Sequence, residues 1–324
     1  MDNTAIYTKE LNLKRILIFT IPTILMTLIQ SSYSMIDGMF ISNILGDEAL
    51  SSLTLISPYF SLFIAIAAMF ASGGSAVVMK KMGEEKQEEA RSDFTTLTLV
   101  VAGIGIVLST VFLLFTKYLV SIFGANTVVT ELCREYLFAY SFFIIAQVLF
   151  SVLQIYTIAS GDSKLAMVSA LAGGVINIIF DAILIKNMGM TGAAIASGLG
   201  MLVPCIILGA NFLNKKKLLY FSKISFNLKV VIRTMTNGVS EFSSNLVSGV
   251  VIMLFNNRML AIAGPSGVAA STITFYVFGF MSALYMGYMF GVSPLLSYFY
   301  GAQETYKLKK IRKISIGFIG TIAM

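Results

Sequence analysis

Residues 49–79 read ALSSLTLISPYFSLFIAIAAMFASGGSAVVM and contain no charged side chain. A helix that crosses a bilayer needs about 20 mostly apolar residues, so this run is long enough to span a membrane once. Four further runs are uncharged in the same way: residues 94–116, 136–161, 187–214 and 259–303. The last run is long enough to include a turn between two spans. The sequence therefore predicts an all-α integral membrane protein.

The composition supports this class of protein. Of the 324 residues, 57% are hydrophobic and 12% are charged, whereas soluble domains carry about 25% charged residues. The chain has no histidine, and its two cysteines, Cys133 and Cys205, are isolated. They form neither a disulfide framework nor a metal-binding spacing. We therefore predict no cofactor and no enzymatic activity.

Turn-forming clusters divide the chain into helices. These clusters contain Gly46, Gly124, Gly161, Gly189 and the sequence GPSG at 264–267. The pattern predicts eight full transmembrane helices and the start of a ninth, at 14–41, 49–79, 93–116, 135–160, 164–186, 190–213, 229–262, 267–300 and from about 312.

The distribution of positive charge predicts the orientation. With the N-terminus in the cytoplasm, 19 of the 23 Lys and Arg residues fall on the cytoplasmic side. Only Lys117, Arg134, Lys186 and Arg258 fall outside. The net charge of +7 therefore reflects short cytoplasmic loops, and we predict no nucleic-acid partner.

An internal repeat appears when the chain is shifted by 218 residues. Arg15 then falls on Arg233 and Gly46 on Gly264, and further matches include Thr54 with Thr272, Gly73 with Gly291 and Gly83 with Gly301. Six helices separate the copies, so the repeats are predicted to be parallel. The predicted lobes are a six-helix bundle at 1–218 and a partial one at 219–324. A complete second copy would run to about residue 436, twice the offset.

Three acids lie inside the predicted spans rather than at their first residue: Asp37, Asp181 and Glu241. A charge in the hydrocarbon is costly, which marks each as a candidate functional group. At about 1.5 Å per helical residue, Asp37 lies about 33 Å and Asp181 about 26 Å from the inner surface. Both are therefore expected in the outer half of the first bundle.

Asn177 and Ser197 are predicted at the same level as the two aspartates. Oxygen ligands of this kind suit Na⁺, so Asp37, Asn177 and Asp181 are a candidate Na⁺ site. The carboxyl pair is equally suited to sharing protons. The alternative is that Asp37 marks a helix end and Asp181 pairs with Lys186.

A second group of residues is predicted to face a central substrate cavity: Gln30, Tyr33, Glu241 and Met286. Glu241 would attract a cation there. The alternative is a local link from Glu241 to Arg233 or Asn245. The Met- and Phe-rich helices are suited either to an adaptable drug surface or to packing and lipid contact.

Six short motifs resemble those of the multidrug and toxic compound extrusion (MATE) transporters. They occur in the family's order as YSMIDGMFI at 33–41, LGDEAL at 45–50, GEEKQEEAR at 83–91, ASGDSK at 159–164, NIIFD at 177–181 and GAAIAS at 192–197. The chain departs from the family at Ser197, where Thr is more usual, and at Ile158, where Arg is common. Ser248 lies nearer than Glu241 to the position of an acid that one subfamily carries on helix 7.

The resemblance implies a secondary antiporter that works by alternating access. It implies export of drugs, often lipophilic cations, in exchange for Na⁺ or H⁺, from a monomer in the cell (plasma or inner) membrane. It assigns the cation site to Asp37, Asn177, Asp181 and Ser197. The expected partners are small-molecule drugs or organic cations and membrane lipid.

Other functions remain open at this point. A flippase for lipid-linked oligosaccharides, built on a related two-lobe fold, would need Lys or Arg in its cavity to bind pyrophosphate, and the sequence places none deep in a span. A membrane enzyme would need a nucleophile with a base, or a metal cluster, and neither is evident. A channel is less well suited to a duplicated bundle with an acid site within it.

Overall fold

The computed structural model describes residues 5–8, 10–122 and 127–323, which form helices joined by short turns and by one longer connection at 212–227. The prediction of an all-α fold is confirmed, since the described residues contain no β-strand. The helices are α1 (Ala5–Thr8), α2 (Leu13–Leu45), α3 (Asp47–Gly83), α4 (Gln87–Ser121), α5 (Thr127–Ser141), α6 (Ile144–Ala159), α7 (Ser163–Asn211), α8 (Leu228–Gly301) and α9 (Thr305–Ala323).

Glycine forms three of the predicted turns. Gly46, Gly161 and Gly189 have φ of 87°, 93° and 58°, in the left-handed region that side chains disfavour. Gly46 separates α2 from α3, and Gly161 lies between α6 and α7. Gly189 interrupts α7 with φ 58° and ψ −135°, so α7 consists of two helices. The predicted turn at 124–126 lies outside the described residues.

Helix α8 also contains two antiparallel segments. A straight helix of its 74 residues would be about 111 Å long. Yet Gly238 contacts Met69 and Gly301 contacts Lys80, two positions only about 17 Å apart along α3. The chain must therefore reverse direction within α8. The predicted turn at 264–267 lies among residues whose side chains are outside the description.

The helices have the length and composition of membrane spans. Within the described residues, five helices are long and apolar enough to cross a bilayer, and α5 with α6 makes a sixth span bent by 58°. The exposed side chains are often large and apolar, as at Leu114, Phe115 and Tyr118 of α4. Such a surface suits lipid, and the chain is a multi-pass membrane protein.

The helix predicted at 135–160 differs from the one that the structure contains. Instead of one helix at 135–160, α5 begins at Thr127 and a bend at 142–143 separates it from α6. The Phe143 amide donates to the Tyr140 carbonyl at 2.8 Å, which tightens the turn. The Phe143 ring also fills the space above Gly198, where an added Cβ would lie 2.2 Å from Cγ. The sequence has no Pro or Gly at the bend to signal it.

Two other helix starts were predicted too late. Helix α4 begins at Gln87 rather than 93, and α9 at Thr305 rather than 312. The prediction followed the uncharged runs, but polar first turns extend these helices beyond the hydrocarbon. In α4, Glu88 and Glu89 occupy the first turn, where their negative charge interacts favourably with the helix dipole.

Close backbone contacts join α3 to the end of α8. A Cβ added to Gly83 would lie 1.9 Å from the Tyr298 carbonyl oxygen, and one added to Gly301 would lie 2.0 Å from the Lys80 carbonyl oxygen. Only glycine permits this approach. Under the 218-residue offset Gly83 corresponds to Gly301 and Lys80 to Tyr298. The contact of Gly83 with Tyr298 is therefore equivalent, in the repeat, to the contact of Gly301 with Lys80.

A second pair of contacts has the same relation. A Cβ on Gly73 would lie 2.8 Å from the Gly238 nitrogen, and one on Gly291 would lie 2.7 Å from Thr20 Cγ2. The offset relates Gly73 to Gly291 and Thr20 to Gly238. We call the contacts of α3 with α8 at Gly73, Gly83, Gly238 and Gly301 the glycine seam. The lobe boundary at residue 218 stays a prediction.

Substitution of Gly238 by alanine tests the seam. An added Cβ would lie 2.0 Å from the Met69 carbonyl oxygen, so the helices must separate. Overpacking of this kind costs about 1–3 kcal/mol, and we expect the thermal unfolding midpoint in detergent to fall by several degrees. Gly103→Ala is the matched control, because nothing lies within 4 Å of its added Cβ. Equal unfolding midpoints for the two variants would contradict the close packing of α3 against α8 at Gly238.

Candidate functional site

The structure brings Asp37 of α2 and Asp181 of α7 together. Their carboxyl groups lie within hydrogen-bonding range of each other. Asp181 is fully buried, and Asp37 is partly buried and lines a cavity. Among the described ion pairs none joins Asp181 to Lys186, which is exposed. The two acids therefore face each other rather than a basic side chain.

Three of the four carboxyl oxygens of this pair lack a donor among the described residues. Oδ1 of Asp37 and both carboxyl oxygens of Asp181 are buried and accept no hydrogen bond from any described group. Two ionised carboxylates so close together would repel one another. The arrangement is therefore suited to a shared proton or a bound cation.

Asn177 lies beside the pair, one helical turn before Asp181 on α7. It is 2% exposed, and its side-chain oxygen is also without a described donor. The second half of α7 approaches it closely, because a Cβ on Gly200 would lie 3.0 Å from the Cβ of Asn177. A fourth oxygen without a described donor is therefore available at this end of the cavity.

Ser197 lines the same cavity as Asp37, together with a tyrosine that the sequence interpretation missed. This residue is Tyr136 of α5, which is 4% exposed. Tyr140, one turn later, is near Asp37 and donates to Gln147 Oε1 at 2.7 Å. The available signal was the spacing of Tyr136 and Tyr140, four residues apart and therefore on one face of α5.

The cavity beside this cluster has a volume of about 780 Å³. All four residues predicted to face a cavity line it: Gln30, Tyr33, Glu241 and Met286. Its volume lies in the range of drug-binding pockets. Among the described residues that line it, Asp37 and Glu241 are the charged ones, and both are acids.

Glu241 keeps its carboxylate free of described partners. Asn245 donates its amide to the backbone carbonyl of Glu241 at 2.8 Å, not to the carboxylate. No described salt bridge joins Glu241 to Arg233. The carboxylate is thus available to the cavity, about one helical turn from the Asn245 side chain that also lines it.

The donor set is limited to hard oxygen ligands. In the described part of the chain, no three side chains of His, Cys, Asp and Glu converge as they would around a metal ion. What converges instead is two carboxyl groups, a carboxamide and hydroxyl groups. Oxygen sets of this kind suit Na⁺ or a proton better than a transition metal.

Comparisons with known proteins agree with this architecture. The chain is 26% identical to the multidrug export protein MepA of Staphylococcus haemolyticus, over 99% of this chain and 72% of that protein. It is 24% identical to MepA of Staphylococcus saprophyticus, over 92% of this chain and 66% of that protein. The chain thus spans about two thirds of the length of these relatives.

The fold matches solved structures over nearly its whole length. A crystal structure of MATE in complex with MaL6 superposes with a TM-score of 0.92 at 21% identity, covering 99% of this chain and 72% of that one. The family model described as MatE matches residues 22–183, which is half of the chain. The chain therefore belongs to the MatE family, the MATE transporters, and is not an enzyme.

Proposed function

We propose that the full-length protein is a secondary antiporter that exports drugs or toxic lipophilic compounds, often cations, in exchange for Na⁺ or H⁺. The observation that carries this proposal is the Asp37–Asp181 pair, whose buried oxygens lack donors beside a cavity of drug size. The relatives named as multidrug export proteins support the same class of substrate.

The coupling ion occupies the space between the two carboxyl groups in this mechanism. Asp37 lines the cavity whereas Asp181 is fully buried behind it, so an ion entering from the cavity meets Asp37 first. A proton would join the carboxyls by a hydrogen bond. Na⁺ would take oxygens from Asp37, Asn177 and Asp181, with Ser197 in the lining of the same cavity.

Substrate occupies the larger cavity on the other side of Asp37. Its apolar wall includes Phe60, Ile64, Met286 and Phe290, and its charge comes from acids. A flat lipophilic cation therefore finds apolar surface and a negative field together. Ion and drug need not touch. It is sufficient that each favours an opposite-facing state of the transporter.

Alternating access follows from two lobes that move about the glycine seam. We propose that these lobes are residues 1–218 and 219–324, as the sequence repeat indicates. In this arrangement the protein acts as a monomer in the plasma membrane, surrounded by lipid, with its N-terminus in the cytoplasm. The seam closes the cytoplasmic end, since Lys80 and Lys81 lie in the last turn of α3.

The cavity lining disfavours the flippase alternative. Transport of a lipid-linked oligosaccharide requires cations to neutralise pyrophosphate. Within the described residues that line the cavity there is no Lys or Arg. A field made by Asp37 and Glu241 would repel such a substrate, whereas it attracts an organic cation.

Ethidium efflux under imposed ion gradients tests the proposal. In the full-length protein we expect an inward gradient of Na⁺ or of H⁺ to drive efflux from vesicles. Asp37→Asn removes one carboxylate of the pair, and the initial rate should fall by about tenfold or more, equivalent to about 1.4 kcal/mol of lost stabilisation.

The matched control is Glu135→Gln, which makes the same chemical change at an exposed acid close in sequence to the site. This variant should retain wild-type efflux. The antiporter proposal would be refuted if the efflux rate did not depend on either gradient. It would also be refuted if Asp37→Asn exported ethidium at the wild-type rate.

Ion-dependent stability distinguishes Na⁺ from H⁺ coupling. If Na⁺ binds the pair, NaCl should raise the thermal unfolding midpoint relative to choline chloride. At 100 times the dissociation constant, binding adds about 2.7 kcal/mol to the free energy of unfolding. Asp181→Asn should abolish this increase, and Glu135→Gln should retain it. If H⁺ is the coupling ion, Na⁺ has no effect, and the stability of wild type but not of Asp181→Asn should rise at acidic pH. A response that is the same in wild type and Asp181→Asn would exclude the pair as the ion site.

A further inference from the structure

We propose that a cleft between the end of α3 and the first turns of α8 binds the phosphodiester headgroup of an anionic glycerophospholipid. The cleft has a volume of about 170 Å³. Liquid water occupies about 30 Å³ per molecule, so the space holds a phosphate group with a few waters. We call it the basic cleft; its polar lining is Lys80, Lys81, Glu84, Lys86, Arg233 and Asn237.

Lys81 is already neutralised by the protein. Its ammonium lies 2.7 Å from a carboxylate oxygen of Asp93 and 3.1 Å from one of Glu89. Asp93 is 5% exposed, so this ion pair also neutralises a buried acid. Lys81 therefore shapes the wall of the cleft without supplying charge for a ligand.

Two other lysines share a single acid. Lys86 lies 3.0 Å and Lys80 3.5 Å from the carboxylate of Glu84. The Lys86 ammonium, which hydrogen-bonds to this carboxylate, holds the pKa of Glu84 below its usual value. The lowered pKa reflects the positive potential at the mouth of the cleft.

Arg233 supplies the positive charge of the cleft that has no described acidic partner. It forms no salt bridge with any described residue. Together the four cations of the cleft exceed their three partner acids by one charge. A phosphodiester carries one negative charge, so it neutralises the cleft, and the guanidinium fork suits two phosphate oxygens. Asn237 lies one helical turn further along α8 and adds an amide donor.

The surface beside Arg233 favours a lipid over free phosphate. Ile232, Met235 and Val239 are 53%, 42% and 52% exposed, and their spacing places them on one face of α8. This apolar stripe runs from the level of the cleft toward the membrane interior. An acyl chain can lie along it while the headgroup occupies the cleft, which is the usual arrangement at basic pockets between spans.

The position of the cleft links lipid binding to the glycine seam. Lys80 precedes Gly83 by one turn, and Arg233 precedes Gly238 by little more than one turn. A headgroup that contacts Lys80 and Arg233 together bridges α3 and α8 where their backbones meet. Bound lipid should therefore stabilise the state in which the seam is closed.

Native mass spectrometry of the purified protein tests this inference without relying on transport. The protein is titrated with phosphatidylglycerol, with phosphatidylcholine of the same acyl chains, and with inorganic phosphate. We expect phosphatidylglycerol adducts to dominate. Arg233→Gln should weaken them by about tenfold, the usual effect of losing a charge-assisted hydrogen bond, and Arg233→Lys should weaken them less.

Arg312→Gln is the matched control, since Arg312 is an exposed arginine of α9 outside the cleft. It should bind phosphatidylglycerol as wild type does. Equal binding of both lipids, or an equal loss in Arg312→Gln, would overturn the headgroup site. Displacement of the lipid by millimolar phosphate would assign the cleft to a free anion instead. Circular dichroism of each variant confirms that the helices are intact.

Discussion

The contact between glycine and carbonyl backbone at the seam is the constraint on which the rest of the structure depends. Gly83 lies against the Tyr298 carbonyl, and Gly301 against the Lys80 carbonyl. Water is absent from the hydrocarbon and lipid is as apolar as the side chains, so helices associate there through close packing rather than a hydrophobic driving force. Glycine gives the closest packing available. The same contact made twice, with the residues exchanged, gives the seam approximate twofold symmetry.

Tight packing at one end of the bundle leaves space at the other. The Thr23 hydroxyl donates to the Gly287 carbonyl at 2.6 Å, and the Thr27 hydroxyl donates to the Ala283 carbonyl at 2.7 Å. Beyond this level Gly279 has nothing within 4 Å of an added Cβ and lines the cavity. Asp37 and Glu241 line the same cavity, and neither forms a salt bridge with a described residue.

Much of this arrangement could be predicted from local signals. Glycine clusters identified the turns at Gly46, Gly161 and Gly189, and the scarcity of acids within spans identified Asp37 and Asp181. The bend at 142–143 could not be predicted, because it depends on Phe143 packing over Gly198 of another helix. The tyrosines that the bend positions were missed for the same reason. Their side chains look like ordinary membrane aromatics until the partner helix is known.

The aspartate pair shows why burial and function coincide in this protein. A buried carboxylate normally receives hydrogen bonds from the protein, yet Asp181 has no described donor for either oxygen although it is fully buried. A side chain retained only for stability would be more favourable as an apolar residue of similar size. The unsatisfied oxygens instead support the proposal that a cation or a proton binds between the two acids. Because Asp181 lies on α7 and Asp37 on α2, an ion bound there in the proposed mechanism would set how closely the two helices approach, and it would thereby change the shape of the cavity beside them.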